Sequence, residues 1–325
     1  MPAKKPFIDP ELDKPLEHAI YRFLGKLTRF RSFVNFMNWG VKKMNLGKDM
    51  EGYLSEERYI PSTHGGPDIR IRIFRPEGGD EALPALLYNH GGAYMSLVPE
   101  MFLGMMKKFM DARPCVIVAP DYRLSVKAPF PAGFNDCYDT LLWMKENAEA
   151  LNIRADKLII AGDSAGGGMT AALTLKARDT KDVEVAFQVP VCPMIDHRQI
   201  TKSAQTMQRA PVFNSNDNKI AWGYYLEGIE GEVPAYASPS LNKDYSGFPP
   251  SISIVGESEP FCDETIAYFD ALKAAGVPTR LGVYKGAYHG FQEAVPEAAV
   301  SKEASAFLWG AFGEFYDRYM LGKAE

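Results

Sequence analysis

The apolar run Leu158-Ile159-Ile160-Ala161 is followed by Gly162-Asp163-Ser164-Ala165-Gly166 and then by a helix-forming stretch from Met169 to Leu175. A strand that turns this tightly into a helix constrains the fold more than any other feature of the chain. It holds the Ser164 hydroxyl on a strained elbow, exposed to substrate, with neighbouring N–H groups facing any negative charge that develops there. Glycine stands on both sides because a side chain would collide with the strand and helix that cross close by. A five-residue pattern recurs by chance, so its meaning depends on its company. His90-Gly91-Gly92 upstream, four carboxylates between Glu257 and Glu264, and Tyr288-His289-Gly290-Phe291 further on supply that company. The chain order serine, acid, histidine is the one this architecture uses.

Strand-like and helix-like segments alternate from Leu158 onward: Leu158 to Ala161, Ala165 to Arg178, Val183 to Val191, Ser251 to Val255, Asp263 to Ala275 and Arg280 to Tyr284. Upstream, Ala85 to Asn89 and Cys115 to Ala119 are short continuous apolar runs, while Asp68 to Phe74 alternates like an antiparallel edge pair. Short apolar runs separated by helices describe an α/β fold, with a mostly parallel central sheet flanked by helices on both faces. Ala304, Phe307, Leu308, Ala311, Phe312, Phe315, Tyr316 and Tyr319 make one stripe on a final helix, suited to packing on that sheet.

Two regions break the alternation. Residues 1–50 are an N-terminal segment whose part from 15 on is helical and rich in aromatic residues, and residues 197–236 carry a helix around Asn216 to Glu227. Together they are expected to form a helical cap over the carboxyl edge of the sheet, where ligands bind in such folds. The catalytic core then comprises residues 51–196 and 237–325. The plainer alternative is that these helices only thicken the outer layer.

With 46% apolar residues, the chain can bury a large core. Its net charge of −5 disfavours a polyanionic partner, and no long basic block or zinc-finger spacing argues for nucleic acid. Cys115, Cys137, Cys192 and Cys262 are widely spaced and read as free thiols, without a disulfide framework or thiolate metal site. The N-terminus lacks the apolar core of a signal peptide, and no window reaches the length of a membrane span. Cytoplasmic placement is the default expectation, with a second copy of the chain as the one macromolecular partner left open.

A serine hydroxyl is a poor nucleophile until a base takes its proton. His289, after the Arg280 to Tyr284 strand, reaches the sheet edge that carries the elbow, and is the base of choice among five histidines. An imidazole needs a carboxylate to fix its tautomer and stabilise its charged form. Glu257 abuts the strand, whereas Asp263 and Glu264 sit where a helix start favours negative charge. Glu259, held by the turn before Pro260, is preferred on position, with Asp263 second. Oxyanion stabilisation is expected from the N–H of Ala165 and from the glycine loop Asn89-His90-Gly91-Gly92-Ala93-Tyr94. The lone histidines lack a convincing spacing for a metal site.

The sequence resembles the bacterial hormone-sensitive-lipase-like family of α/β-hydrolase carboxylesterases. The resemblance lies in His90-Gly91-Gly92, Asp121-Tyr122-Arg123-Leu124, Pro129-Phe130-Pro131-Ala132, Gly162-Asp163-Ser164-Ala165-Gly166-Gly167, Glu259-Pro260 and His289-Gly290-Phe291, in the family's order. It implies hydrolysis of short-to-medium acyl esters without a cofactor, a helical cap, and Glu259 as the acid, because the family's acid directly precedes the matching proline. It also implies that Gly92, Ala93 and Ala165 donate to the oxyanion while Gly91 permits the turn. Two departures stand out. Glu259 replaces the usual aspartate, so backbone or histidine must sit slightly further away. Ala93 replaces a third glycine, and an alanine is expected to donate its N–H there with a negative φ.

Aromatic side chains crowd the expected cap. Phe30, Phe33, Phe36, Trp39, Phe213, Trp222 and Tyr225 are candidates to line a restricted apolar pocket, chiefly Phe30, Phe33, Trp39, Phe213 and Trp222. A serine amidase or peptidase, and a non-catalytic small-molecule receptor on the same scaffold, are the rival readings. An ester-versus-anilide panel separates the first, and tight binding without turnover would favour the second.

Overall fold

The computed structural model describes residues 6–79 and 81–323. The ends of the expected 1–50 and 237–325 segments, and position 80 within 51–196, lie outside the described residues. Eight strands form one sheet: β1 (Leu54–Ile60), β2 (Ile69–Arg75), β3 (Ala85–Asn89), β4 (Val116–Pro120), β5 (Leu158–Asp163), β6 (Val185–Val191), β7 (Ser251–Gly256) and β8 (Thr279–Tyr284). Their spatial order is β1, β2, β4, β3, β5, β6, β7, β8, antiparallel from β1 through β4 and parallel beyond.

Alternate residues of the same strands enter two different cores, which is why the central strands read as continuous apolar runs. Leu86, Tyr88, Ile117, Ile159 and Phe187 face one layer, containing α3 (Leu103–Ala112) and α10 (Ala299–Phe315). Leu87, Val116, Val118, Leu158 and Ile160 face the other, containing α4 (Ala132–Glu146) and α5 (Ala165–Thr180). The aromatic stripe on α10 packs on the sheet, with Phe187 and Phe312 ring centroids 5.7 Å apart. The edge pair expected at Asp68 to Phe74 differs in one respect. It is β2, the second strand, and every residue from Ile69 to Phe74 is buried. Its alternation of Ile with Arg is chemical only, because Arg70 and Arg72 are both covered and pair with the buried Glu100.

Outside these layers lie α1 (Pro15–Leu27), α2 (Arg31–Asn45), α6 (Lys202–Thr206) and α7 (Ser215–Tyr225). The two irregular regions meet: Tyr224 Oη donates to the carbonyls of Thr28 and Arg29, and Arg31 pairs with Glu227 at 2.6 Å. Asn214 caps α7 with a reciprocal box through Asp217, which fixes where this helix starts. The remaining helices, α8 (Cys262–Ala274) and α9 (Phe291–Ala294), follow β7 and β8.

Candidate active site

Ser164 stands between β5 and α5 with φ +59° and ψ −120°, a conformation that few non-glycine residues adopt. Such strain costs on the order of 1–3 kcal/mol and persists only where the surroundings enforce it. Here the Ser164 amide donates to Val191 O, and its carbonyl accepts from Met194 N–H and Gly168 N–H. Close packing explains the flanking glycines. A Cβ on Gly166 would lie 1.9 Å from Asn89 O, so α5 can approach β3 only without a side chain there.

The loops after β7 and β8 bring the other two side chains to this elbow. His289 Nε2 is 2.9 Å from Ser164 Oγ, and its Nδ1 is 2.5 Å from Glu259 Oε2. Glu259 Oε1 accepts from Gly256 N–H at 2.9 Å, so both carboxylate oxygens are held. Glu259 is 1% exposed, against 8% each for Ser164 and His289, so only the outer two members face the cavity. The three groups form one hydrogen-bonded chain. Asp263 lies apart from it and accepts from Ser203 N–H, while Glu264 accepts from Ile195 N–H and Asp196 N–H. Glu257 is exposed.

The glycine loop curls back on itself. Gly92, Ala93 and Tyr94 have φ of +116°, +56° and +59°, and the amides of Met95 and Ser96 both bond Gly92 O. The negative φ expected at Ala93 is therefore corrected: the reversal of the chain forces alanine into the left-handed region. Gly92 is obligatory, since a Cβ there would lie 2.0 Å from Ser96 O. Tyr94 anchors the strained loop by donating to Met194 O at 2.8 Å and stacking on Tyr225 at 3.9 Å. The amides of Gly92, Ala93 and Ala165 have no hydrogen-bond acceptor among the described residues, and Gly91, Gly92, Ala93 and Ser164 line one cavity.

That cavity, about 510 Å³, has walls from both the sheet edge and the irregular regions. Tyr21, Leu24, Gly25 and Thr28 of α1 and its end, Met37 of α2, and Val212 and Phe213 line it with Met95, Leu97, Met101, Phe102 and Met105. Of the five chief lining candidates only Phe213 belongs to the wall, its ring 5.5 Å from that of His289. Phe30 and Trp39 are 48% and 60% exposed, and Phe33 is half-buried, all outside the lining. They sit on the outward side because α2 buries Val34 and Asn38 instead. Trp222 is buried but packs on Tyr94 and Tyr225, as a support behind the wall. The methionines and Leu97 are not legible in the sequence because no single period links residues on α2, the glycine loop and α3.

Burial shapes the electrostatics near the elbow. Asp163, which accepts from Tyr88 Oη, is pushed up to about 6 by loss of solvent. Burial also lowers His90 to about 4, so its imidazole is neutral where it stacks on Tyr122 at 4.2 Å. Cys192 lies beside Glu259 and His289, with ligand atoms of the three within 4.8 Å of one another. Sequence spacing conceals this trio. Binding a metal there would require breaking the His289–Glu259 bond and ionising a thiol whose pKa burial drives well up.

Comparisons with known proteins agree with this geometry. Residues 86–293 match the family described as alpha/beta hydrolase fold. The carboxylesterase NlhH of Mycobacterium tuberculosis is 30% identical over 253 residues, 75% of this chain and 78% of that protein. An arylesterase of Saccharolobus solfataricus is 29% identical over 227 residues, 69% of this chain and 73% of its own. The solved structure of a bacterial heroin esterase superposes with a TM-score of 0.84 at 30% identity, covering 96% of this chain and 98% of that one. Fold and site thus define an enzyme of the α/β-hydrolase class. Within that class the chain belongs to the hormone-sensitive-lipase-like esterase family and is a carboxylesterase.

Proposed function

We propose that the enzyme hydrolyses short-to-medium acyl esters through a Ser164–His289–Glu259 triad and a covalent acyl-enzyme. The observation that carries this reading is the unbroken hydrogen-bonded chain from Ser164 Oγ through both imidazole nitrogens to Glu259. Ser164 attacks the ester carbonyl as His289 Nε2 takes its proton, and the buried carboxylate of Glu259 stabilises the imidazolium. Charge on the tetrahedral oxygen is received by the free amides of Gly92, Ala93 and Ala165, with Gly91 allowing the loop to approach. His289 then gives its proton to the leaving alcohol, and water activated by the same imidazole releases the acid.

Residues 1–50 and 197–236 act as the cap in this proposal, with 51–196 and 237–325 as the core. The support is that α1, α2 and the Val212-Phe213 segment all contribute to the wall around Ser164. A cavity of about 510 Å³ walled by leucine, methionine and phenylalanine suits an apolar acyl chain of limited length. Cytoplasmic placement is retained with this reading; no helix among the described residues is long and apolar enough to cross a membrane.

A serine-directed fluorophosphonate tests the mechanism. One equivalent of label on the parental protein and none on S164A is the expected result. Labelling of S164A to the parental extent would reject the nucleophile. A panel of acetyl to dodecanoyl esters below their solubility limits should give the highest kcat/KM between acetyl and hexanoyl. A profile rising into the long-chain range would reject the size limit, and matching anilides, cleaved far more slowly, separate an esterase from an amidase.

A further inference from the structure

Helices α1 and α2 each carry an outward stripe that the catalytic reading does not use. On α1, Leu16, Ile20 and Phe23 recur at i, i+4 and i+7 and are 76%, 50% and 62% exposed. On α2, Phe36 and Trp39 are 68% and 60% exposed with their rings stacked at 6.0 Å. Single exposed apolar residues need no explanation, but stripes of this size on consecutive helices do. Other sides of the same helices face the protein: His18 of α1 and Val34 and Asn38 of α2 are buried, while the part-exposed Tyr21, Leu24 and Met37 border the catalytic cavity.

Charge distinguishes what would cover these stripes. Residues 15–48 contain seven Lys and Arg against the single acid Glu17, in a chain whose net charge is −5. Arg31 and Lys42 are paired with Glu227 and Asp121. Arg22, Lys26, Arg29 and Lys43 have no salt bridge among the described residues. Lys43 Nζ lies 5.3 Å from the centre of the Trp39 ring, and the Arg29 guanidinium 4.6 Å from that of Phe30. Arg22, Lys26 and Arg29 border a cleft with Asn214, Asn216 and Asp217, and the stripes are flanked by Lys26, one turn from Phe23, and by Lys43 beside Trp39. Exposed aromatic and aliphatic residues flanked by such cations fit the boundary between lipid headgroups and acyl chains. Lysine is depleted from the cores of protein interfaces, which makes a protein partner the poorer fit.

We propose that the outward faces of α1 and α2 dock the enzyme on an anionic lipid surface as a peripheral contact. Since the inward faces of these helices wall the cavity, docking brings the catalytic pocket next to a phase in which apolar esters dissolve. The rest of the chain is acidic, so repulsion from the same surface orients the molecule with these helices towards it.

Flotation with vesicles tests the proposal on the full-length chain. Binding to phosphatidylcholine vesicles containing phosphatidylglycerol, weakened by high salt and absent on phosphatidylcholine alone, is the expected result. K26Q/K43Q should partition about 25-fold more weakly, and F23S/W39S on the order of 100-fold more weakly. Both variants should hydrolyse a water-soluble acetyl ester at the parental rate without vesicles, which also reports that they fold. S164A should float like the parental protein, so failure of the triad reading and failure of this one are distinguishable. No flotation on the phosphatidylglycerol vesicles, or equal salt-insensitive flotation on both compositions, would overturn the proposal. So would light scattering that shows a dimer dispersed by F23S/W39S, because the stripes would then be covered by a second copy.

Discussion

The elbow that carries Ser164 into helix α5 and the α1–α2 pair both border the cavity around Ser164, but they are held in very different ways. In α5, twelve of sixteen residues are buried, and its glycines press against the backbone at Asn89, Val191 and Met194. In α1 only His18 is buried, and in α2 only Val34 and Asn38. Ser164 therefore rides on an element whose displacement would disturb the core beneath it, while the opposite wall rests on a few polar contacts such as Asn38 to Met95 O. Groups that must be placed to tenths of an ångström belong on the first kind of support. A wall that admits different acyl chains belongs on the second, where local opening costs little.

The sharpest way to break that comparison is at the triad. S164A or H289A should lower kcat by about 10⁶-fold with little change in Tm, and the double variant should lose hardly more, since either change disables one reaction unit. Additive losses, measured by steady-state kinetics on folded protein, would mean that the two side chains do not act together. E259Q should cost about 10⁴-fold, because a neutral amide neither stabilises the imidazolium nor fixes its tautomer. E259D should keep part of the activity, and D263N should stay near the parental rate. A crippled D263N beside an active E259Q would move the acid role to Asp263.

The looser wall should respond in specificity rather than in rate. F213A should shift the preferred acyl chain to greater length and lower kcat/KM for the acetyl ester by about tenfold, the usual worth of apolar pocket contacts. W222A, whose indole is 3% exposed behind the wall, should instead lower stability by about 3 kcal/mol. Kinetic profiles and denaturant midpoints would separate the two, and an unchanged chain-length profile in F213A would remove Phe213 from the acyl site.

The smallest effect concerns the supports under the elbow and the glycine loop. His90 titrates near 6.5 when unfolded but about 4 when buried, so between those values only the unfolded chain binds the proton. Acidification through that window destabilises the fold. Asp163 works in the opposite sense. Its carboxyl rises from 3.8 to about 6, so the native state holds the proton there and loses stability as pH rises through 6. D163N should therefore gain up to about 3 kcal/mol above pH 6 and lose Tm more steeply than the parent between pH 6.5 and 4. Parallel Tm–pH curves would show that Asp163 is ionised in the fold over the whole range.

Local chemistry made much of this molecule legible in its sequence. The elbow at Gly162 to Gly166, the glycine loop at Asn89 to Tyr94 and the apolar strands are each set by neighbours along the chain, through sterics and period. The fold and the esterase family follow from them. Other features depend on contacts between distant segments. The first strand, β1, carries no apolar signal because Leu54 to Ile60 is polar and mostly exposed, and its identity comes from pairing with β2. Which side of α2 faces inward could not be read from its aromatic residues, since Phe36 and Trp39 point outward while Val34 and Asn38 are buried. Ala93 takes a positive φ only because the loop must reverse over Ser96. The sequence by itself determined the buried central strands, the elbow and the residue types of the site, because these depend on spacing and backbone sterics. The sequence also pointed to Glu259 ahead of Asp263 through the proline that follows it, but its contact with His289, and which side chains wall the cavity, rest on distances between separate segments that only the tertiary structure sets.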